Sequence, residues 1–196
     1  EASQDARVGA LVRGALQYLH ERRLDEAAQI WDQVLQLAPN HPQALFHLGQ
    51  HWLYRKEPLT ARKLLERAAV ADPQNPAVLL NLAFTYRAVG DNQNEMAALT
   101  RSLAIDPYFF PALLAKGMLL ERAGKPRAAA ETFKNVLTIA PPEDQLTGEM
   151  QRAMQHARDA VERNARSFDD YLGAKLAAVE AQYAGDDLRR FAECRE

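Results

Sequence analysis

The chain has 196 residues, of which 47% are hydrophobic and 26% are charged, with a formal net charge of −2 at pH 7. This composition is ordinary for a folded domain and excludes a disordered chain, and the small net charge excludes a strongly basic field that would bind nucleic acid. No apolar run approaches the roughly 18 residues that a membrane-spanning helix needs, so we predict neither a nucleic-acid nor a membrane partner.

Four prolines recur at one fixed interval, at Pro39, Pro73, Pro107 and Pro141. Proline cannot continue a helix, because it lacks an N–H and clashes with the preceding turn. A proline at a fixed long interval therefore marks a helix end that recurs once per repeat, and this interval equals the 34-residue period typical of helix–turn–helix solenoids. We predict a domain over residues 1–143 that contains four repeat units. The units cover residues 8–41, 42–75, 76–109 and 110–143.

Each predicted unit carries small and large residues at matching places. The eighth place is small, with Ala15, Gly49, Ala83 and Gly117. The eleventh place is large, with Tyr18, Trp52, Tyr86 and Leu120, and so is the twenty-fourth, with Trp31, Leu65, Leu99 and Phe133. Small residues let two helices approach closely and large ones fill the remaining space, so the pattern predicts packed helical hairpins.

The twentieth place and the turns complete the repeat. That place holds Ala27, Ala61, Glu95 and Ala129, and because Glu95 departs from alanine we expect the third unit to be locally irregular. Gly90 and Gly124 stand where the first helix of their units should end, as helix-terminating glycines do. Pro42 and Pro76 then open the next helix, a position that proline favours.

This pattern resembles the tetratricopeptide repeat, over about residues 8–143. The resemblance implies an all-α, right-handed helix–turn–helix solenoid, the tetratricopeptide-repeat superhelix, closed by C-terminal capping helices. It also implies a concave groove lined by the first helix of each unit, which binds a protein or peptide segment and needs no cofactor. Some members of the family clamp the carboxylate tail of heat-shock chaperones with Lys and Asn at the fifth and ninth places, but those places are mostly apolar here. We therefore predict no chaperone-tail binding of that kind.

The groove-facing fifth and ninth places form the predicted partner-binding surface. They hold Val12, Leu16, Phe46, Gln50, Leu80, Phe84, Leu114 and Met118, of which seven are apolar. An exposed apolar stripe of this kind marks an interaction site, with Phe46, Phe84 and Met118 as anchors and Arg87 and Arg122 fixing the orientation of the bound segment. The alternative is that these residues pack between neighbouring first helices as ordinary core, and periodicity does not separate the two.

Residues 144–196 leave the 34-residue phase of the repeats but keep helical spacing, and we predict a C-terminal helical cap or connector. Leu146, Met150, Met154, Ala157 and Val161 form a first stripe at helical spacing. Ser167 is a candidate N-cap for a second helix that carries Phe168, Tyr171, Leu172, Leu176, Val179 and Tyr183. Gly185 would end that helix, and Asp186 and Asp187 would start a short third one. The tail either caps the last repeat, fills the groove or pairs two chains.

The tail is also similar, more weakly, to the connector in bacterial aspartyl/asparaginyl β-hydroxylase-like proteins. The similarity rests on the segments 168–172 and 183–191, on Gly90-Asp91 and on residues 95–98 and 106–109. It implies that the chain is the non-catalytic N-terminal arm of an iron- and 2-oxoglutarate-dependent oxygenase, positioning a substrate or packing on a catalytic domain after Glu196. The chain starts without Met and stops abruptly, so we expect a piece of a longer protein.

No catalytic motif is found, and we predict that this chain is not an enzyme. A facial iron triad needs two His and a carboxylate, yet none of the five histidines has an acid two places on. His47 and His51 share a helix face four residues apart, a spacing that can bind a metal, but no third ligand is evident. The lone Cys194 excludes an internal disulfide and is compatible with a reducing, cytoplasmic compartment.

Overall fold

The computed structural model describes residues 2–193 of the chain and the side chains of residues 3–182. Within these residues the fold is all-α, and no strand is present. Cys194 lies outside the described residues, and so do the side chains of Tyr183 and Phe191. The helices are α1 (Ala2–His20), α2 (Leu24–Leu37), α3 (Pro42–Tyr54), α4 (Pro58–Ala71), α5 (Pro76–Ala88), α6 (Asn92–Ile105), α7 (Phe110–Arg122), α8 (Pro126–Ile139) and α9 (Gly148–Glu193), with a 3-10 turn over Glu143–Gln145.

The first residues of the helices recur at the same interval as the prolines. First helices begin at Pro42, Pro76 and Phe110, and second helices begin at Leu24, Pro58, Asn92 and Pro126, so both sets keep the spacing of the proline series. The chain divides into two compact units, residues 1–119 and residues 120–196, with the boundary inside α7. In the first unit α1 packs on α2, α3 on α4 and α5 on α6, and successive hairpins contact one another through α2 with α3 and α4 with α5. Short connections make the helices of each pair antiparallel neighbours.

Buried small residues allow the close helix approach that the sequence predicts. Ala15, Gly49, Ala83 and Gly117 are all buried. At Gly49 the approach leaves no room for a side chain, because an added Cβ would lie 2.5 Å from Cγ of the fully buried Leu65. The α3–α4 crossing therefore requires glycine at this position.

Large residues at the twenty-fourth place form the centre of the core. Trp31, Leu65, Leu99 and Phe133 are each at most 1% exposed. The eleventh place behaves less uniformly, because Leu120 is buried whereas Trp52 is 36% exposed. Trp52 was expected in the seam between helices, and that expectation is wrong for much of its side chain.

Helix α6 corrects the expectation that the third unit is irregular. It has 14 residues, the same length as α2, α4 and α8, and it starts in phase with them. Glu95 is 1% exposed at the place where the other units have alanine. The unit thus accommodates a buried carboxyl side chain without a shift of the helix, and the expected irregularity is absent.

The turn inside every hairpin has one residue in the left-handed region. These residues are Arg22 (φ 58°), Lys56 (φ 61°), Gly90 (φ 77°) and Gly124 (φ 69°), and they recur once per repeat. In each turn the next residue donates its backbone N–H to the carbonyl of the eleventh-place residue, as Asp91 does to Tyr86 at 2.9 Å. This bond is characteristic of the Schellman helix end. The sequence predicted a helix end at two of these turns, from Gly90 and Gly124. The structure shows that Arg22 and Lys56 adopt the same left-handed conformation although each has a side chain.

The second unit contains one long helix where several short ones were predicted. Helix α9 is continuous from Gly148 to Glu193, so the predicted N-cap at Ser167 and the predicted stop at Gly185 are both wrong. Helix α9 packs on α8, and its buried residues Met154, Ala157 and Ala160 lie near its start. From residue 165 to residue 182 every side chain is exposed. Capping side chains are helpful at a helix start, but they do not force one when the helix can continue.

None of the helices in residues 2–193 combines the length and the apolar composition that crossing a lipid bilayer requires.

Candidate functional site

The ninth place of each repeat keeps part of its side chain at the surface. Leu16 on α1 is 41% exposed, and Gln50 on α3, Phe84 on α5 and Met118 on α7 are partly exposed. All four belong to the first unit. A side chain available for contact therefore recurs on four successive first helices.

The fifth place becomes more buried along the chain. Val12 and Phe46 are partly exposed, whereas Leu80 and Leu114 are buried. For Leu80 and Leu114 the structure favours the second alternative, ordinary core packing, because too little of either side chain is left for a partner.

The predicted aromatic anchors are shared between core and surface. Phe46 packs against the buried cluster of Leu45, Ala68 and Val78, and also against that of Ala61, Leu65 and Leu82. Phe84 packs against a third cluster, which includes Ala83 and Leu119. A substitution of either ring would therefore disturb the core as well as any contact with a partner.

The two predicted orienting cations are placed differently. Arg87 is an exposed residue in the last turn of α5, in the first unit. Arg122 is an exposed residue at the end of α7, in the second unit, and it interacts with a neighbouring group. Its neighbour Glu121 accepts hydrogen bonds from His156 Nε2 and, at 3.1 Å, from Arg163 Nη2, both on α9.

A cavity between α1, α2 and α3 was not predicted from the sequence. Its volume is about 170 Å³, and its lining residues are Leu19, Leu24, Ala27, Ala28, Trp31, His47, Gln50, His51 and Tyr54. One of these, Gln50, belongs to the predicted groove, so the cavity adjoins the surface that the repeat pattern indicates. We call it the Trp31 cavity. Of its other members, Ala27 and Trp31 were predicted at core places of the first repeat, and no local sequence pattern marks the space between the three helices.

Two histidines four residues apart on α3 line the Trp31 cavity in different ways. The His47 ring stacks on Trp31 with centroids 5.0 Å apart and planes at 19°, and its Nδ1 lies 3.2 Å from Gln50 Oε1. Burial lowers the pKa of His47, and the contact with Gln50 offsets part of that shift. His51 instead places Nε2 at 3.8 Å from Asp25 Oδ1.

The described side chains include no cluster of three His, Cys, Asp or Glu residues arranged to hold a metal ion. His47 and His51 have a spacing that can bind a metal, but no metal site was predicted there; His47 stacks on Trp31, and His51 lies beside Asp25.

A wider cleft of about 980 Å³ lies along α2, α3 and α4. The exposed part of Trp52 lines it. Asp32 and Gln36 on α2 face it, and Lys63 and Arg67 on α4 contribute positive charge. This cleft is more polar than the Trp31 cavity and was not anticipated by the repeat pattern.

The far half of α9 presents a separate apolar surface. Its five large exposed side chains follow one another at helical spacing, and they are Phe168, Tyr171, Leu172, Leu176 and Val179. We call this set the α9 stripe. Unlike the start of the same helix, it has no buried member.

Comparison with known proteins assigns the fold. Residues 13–76 match the family model of the tetratricopeptide repeat. A tetratricopeptide-repeat protein from Thermus thermophilus superimposes with a TM-score of 0.65 at 20% identity, covering 85% of this chain and 89% of that one. MamA from Desulfovibrio magneticus RS-1 gives a TM-score of 0.62 at 22% identity, covering 71% and 78%. The chain therefore has the helix–turn–helix solenoid fold of tetratricopeptide-repeat proteins.

Larger proteins contain similar segments. The chain is 26% identical over 120 residues to human Protein O-mannosyl-transferase TMTC3, which amounts to 61% of this chain and 13% of that protein, and its mouse counterpart is 27% identical over 126 residues. A mutant of Thermobaculum terrenum O-GlcNAc transferase superimposes with a TM-score of 0.64 at 24% identity, covering 70% of this chain and 26% of that one. The chain thus spans about an eighth of the length of the curated relatives it matches.

Proposed function

We propose that the chain is a protein–protein interaction scaffold that binds a segment of a partner protein along the first helices of its repeats. The tetratricopeptide-repeat fold supports an interaction role in general, because stacked helix pairs create an extended surface that can receive a partner. The observation that carries the more specific proposal is the exposure of the ninth place on α1, α3, α5 and α7. Four equivalent contact points at a regular interval suit an extended or helical segment.

The chemistry of this surface defines the segment it would take. Leu16, Phe84 and Met118 offer apolar contact, and Met adapts readily to irregular partners. Gln50 adds a hydrogen-bonding side chain between them, and Arg87 adds an exposed positive charge. The partner segment would therefore carry apolar anchors with an acidic residue near one end.

Display selection provides the partner for a test. Peptides selected against the wild-type chain would be measured by calorimetry against Leu16→Glu and against Val70→Glu, a matched control on α4 where valine is 83% exposed. We expect Leu16→Glu to weaken binding by at least about tenfold, equivalent to about 1.4 kcal/mol, because it puts a charge against an apolar anchor. Val70→Glu should leave affinity unchanged. Selected peptides that respond to Val70→Glu and ignore Leu16→Glu would contradict the assignment of this surface.

The α9 stripe supports a second candidate function, in which α9 docks on another folded surface. A contiguous apolar surface of this kind marks an interaction site. A second copy of the chain would use it to dimerise, and in a longer protein a further domain would use it, as the resemblance to β-hydroxylase-like proteins implies. The double substitution Leu172→Glu/Leu176→Glu would test dimerisation by light scattering. A wild-type chain that stays monomeric at every accessible concentration would exclude the dimer.

A further inference from the structure

We propose that the Trp31 cavity receives a primary carboxamide, carried by a glutamine or asparagine side chain of a bound protein segment. This inference deepens the scaffold role proposed above and rests on it for the source of the amide. The cavity adjoins the predicted partner surface through Gln50, so a segment lying on the first helices has a side chain within reach of it.

Two buried nitrogen atoms of the lining side chains have no hydrogen-bond partner in the described structure. They are Nε1 of Trp31 and Nδ1 of His51, and both side chains line the cavity. Trp31 is 1% exposed, so its N–H is removed from solvent without a protein acceptor. Buried polar groups in folded proteins are nearly always paired, and two unpaired ones on one small cavity indicate a place for an incoming polar group.

The surroundings of His51 decide what that group must contain. Its Nε2 lies 3.8 Å from the carboxylate of Asp25, and the negative charge of that carboxylate favours the tautomer with the proton on Nε2. With the proton on Nε2, Nδ1 is an acceptor, whereas the indole of Trp31 is a donor only. The cavity therefore offers one donor and one acceptor. A primary carboxamide supplies the matching carbonyl and N–H in one group. A carboxylate has no N–H to donate, so its lone pairs would face the lone pair of Nδ1.

The volume of the Trp31 cavity and its apolar lining limit the bound group to a single side chain. The volume of about 170 Å³ is below the roughly 300–1,000 Å³ of pockets that hold whole ligands or cofactors. Leu19, Leu24 and Ala27 form an apolar wall, which suits the methylene groups that precede the amide of glutamine. Tyr54 and Leu24 are both exposed, so these two lie at the solvent side of the cavity.

The chain provides its own reporter, because it has two tryptophans, Trp31 and Trp52. Nitrogen-15 NMR would follow the two indole N–H signals of the full chain at neutral pH, assigned with Trp52→Phe. The probes are N-acetyl-L-glutamine N-methylamide and, as a matched hydrocarbon control, N-acetyl-L-leucine N-methylamide. We expect the glutamine probe to shift the Trp31 signal saturably while the Trp52 signal stays in place, and the leucine probe to bind at least about tenfold more weakly.

A Trp31 signal that moves equally with both probes would show an apolar cavity without amide recognition and would overturn the inference. So would a signal that neither probe moves. His51→Phe should remove the preference for the glutamine probe, and an unchanged circular dichroism spectrum would show that this variant is folded. Because the titration uses no partner peptide, it fails or succeeds independently of the Leu16→Glu experiment that tests the scaffold role.

Discussion

Two phenylalanines of the second unit show how differently apolar helix faces are used in this chain. Phe133 on α8 is 0% exposed, whereas Phe168 on α9 is 51% exposed. Both belong to stripes at helical spacing, yet α8 is packed on the start of α9 while the far half of α9 has every described side chain exposed. Periodicity therefore identifies an apolar helix face but does not specify what covers it.

The largest expected effect separates these two residues. Phe133→Ala should lower the free energy of unfolding by about 3–5 kcal/mol, because it removes a buried ring and leaves a cavity. Phe168→Ala should change it by no more than about 0.5 kcal/mol, as surface substitutions usually do. Urea unfolding followed by circular dichroism measures both. A large loss for Phe168→Ala would mean that the α9 stripe is covered in solution.

A pair of glycines sharpens the comparison inside the first unit. Gly49→Ala should destabilise by about 1–3 kcal/mol, because its Cβ would overlap the buried Leu65 and force the α3–α4 crossing apart. Gly14→Ala, on α1, meets no atom within 4 Å. It should stabilise by roughly 0.5–1 kcal/mol, since alanine is the better helix former. The midpoint temperatures of thermal unfolding should shift in opposite directions for the two variants. A shift in the same direction would contradict the close α3–α4 crossing.

The turns give a smaller effect that distinguishes the early repeats from the later ones. At Gly90 φ is 77°, and no atom lies within 4 Å of an added Cβ. Gly90→Ala should therefore cost about 1 kcal/mol through backbone conformation alone, because a Cβ disfavours the left-handed region. Lys56 already holds φ at 61°. Lys56→Gly should thus act in reverse and stabilise by up to about 1 kcal/mol. Denaturant midpoints of the two variants measure the difference, and a stabilising Gly90→Ala would contradict the left-handed turn.

The smallest expected effect is on the pH dependence of the free energy of unfolding. Burial lowers the pKa of His47, so the folded state binds fewer protons than the unfolded state, whose histidine has a pKa of about 6.5. The stability associated with His47 is therefore present above that pH and is lost as the pH falls below it. His41, whose pKa burial also lowers, contributes in the same sense. His47→Phe should flatten the decline in unfolding free energy between neutral and mildly acidic pH, and an unchanged slope would contradict the shift.

Much of the repeat region could be predicted from residues alone, since each repeat encodes its own hairpin. The prolines set the phase of the repeats, and Gly49 marked a helix crossing that the structure shows to be sterically closed. Glu95 and Trp52 were not anticipated correctly, because burial depends on the neighbouring helix as well as on the repeat place. The Trp31 cavity was missed for the same reason, since its walls come from three different helices.

The all-α fold, the repeat period, the small and large core places and the glycine turns follow from the amino-acid pattern, because they depend on short-range backbone preferences repeated in phase. Tertiary structure alone decided that α9 runs unbroken past Ser167, that Leu80 and Leu114 are buried while Leu16 is exposed, and that two nitrogens on one cavity lack partners among the described residues. The physical reason is that burial and hydrogen-bond pairing are properties of elements packed together, and a stripe on one helix does not specify its partner.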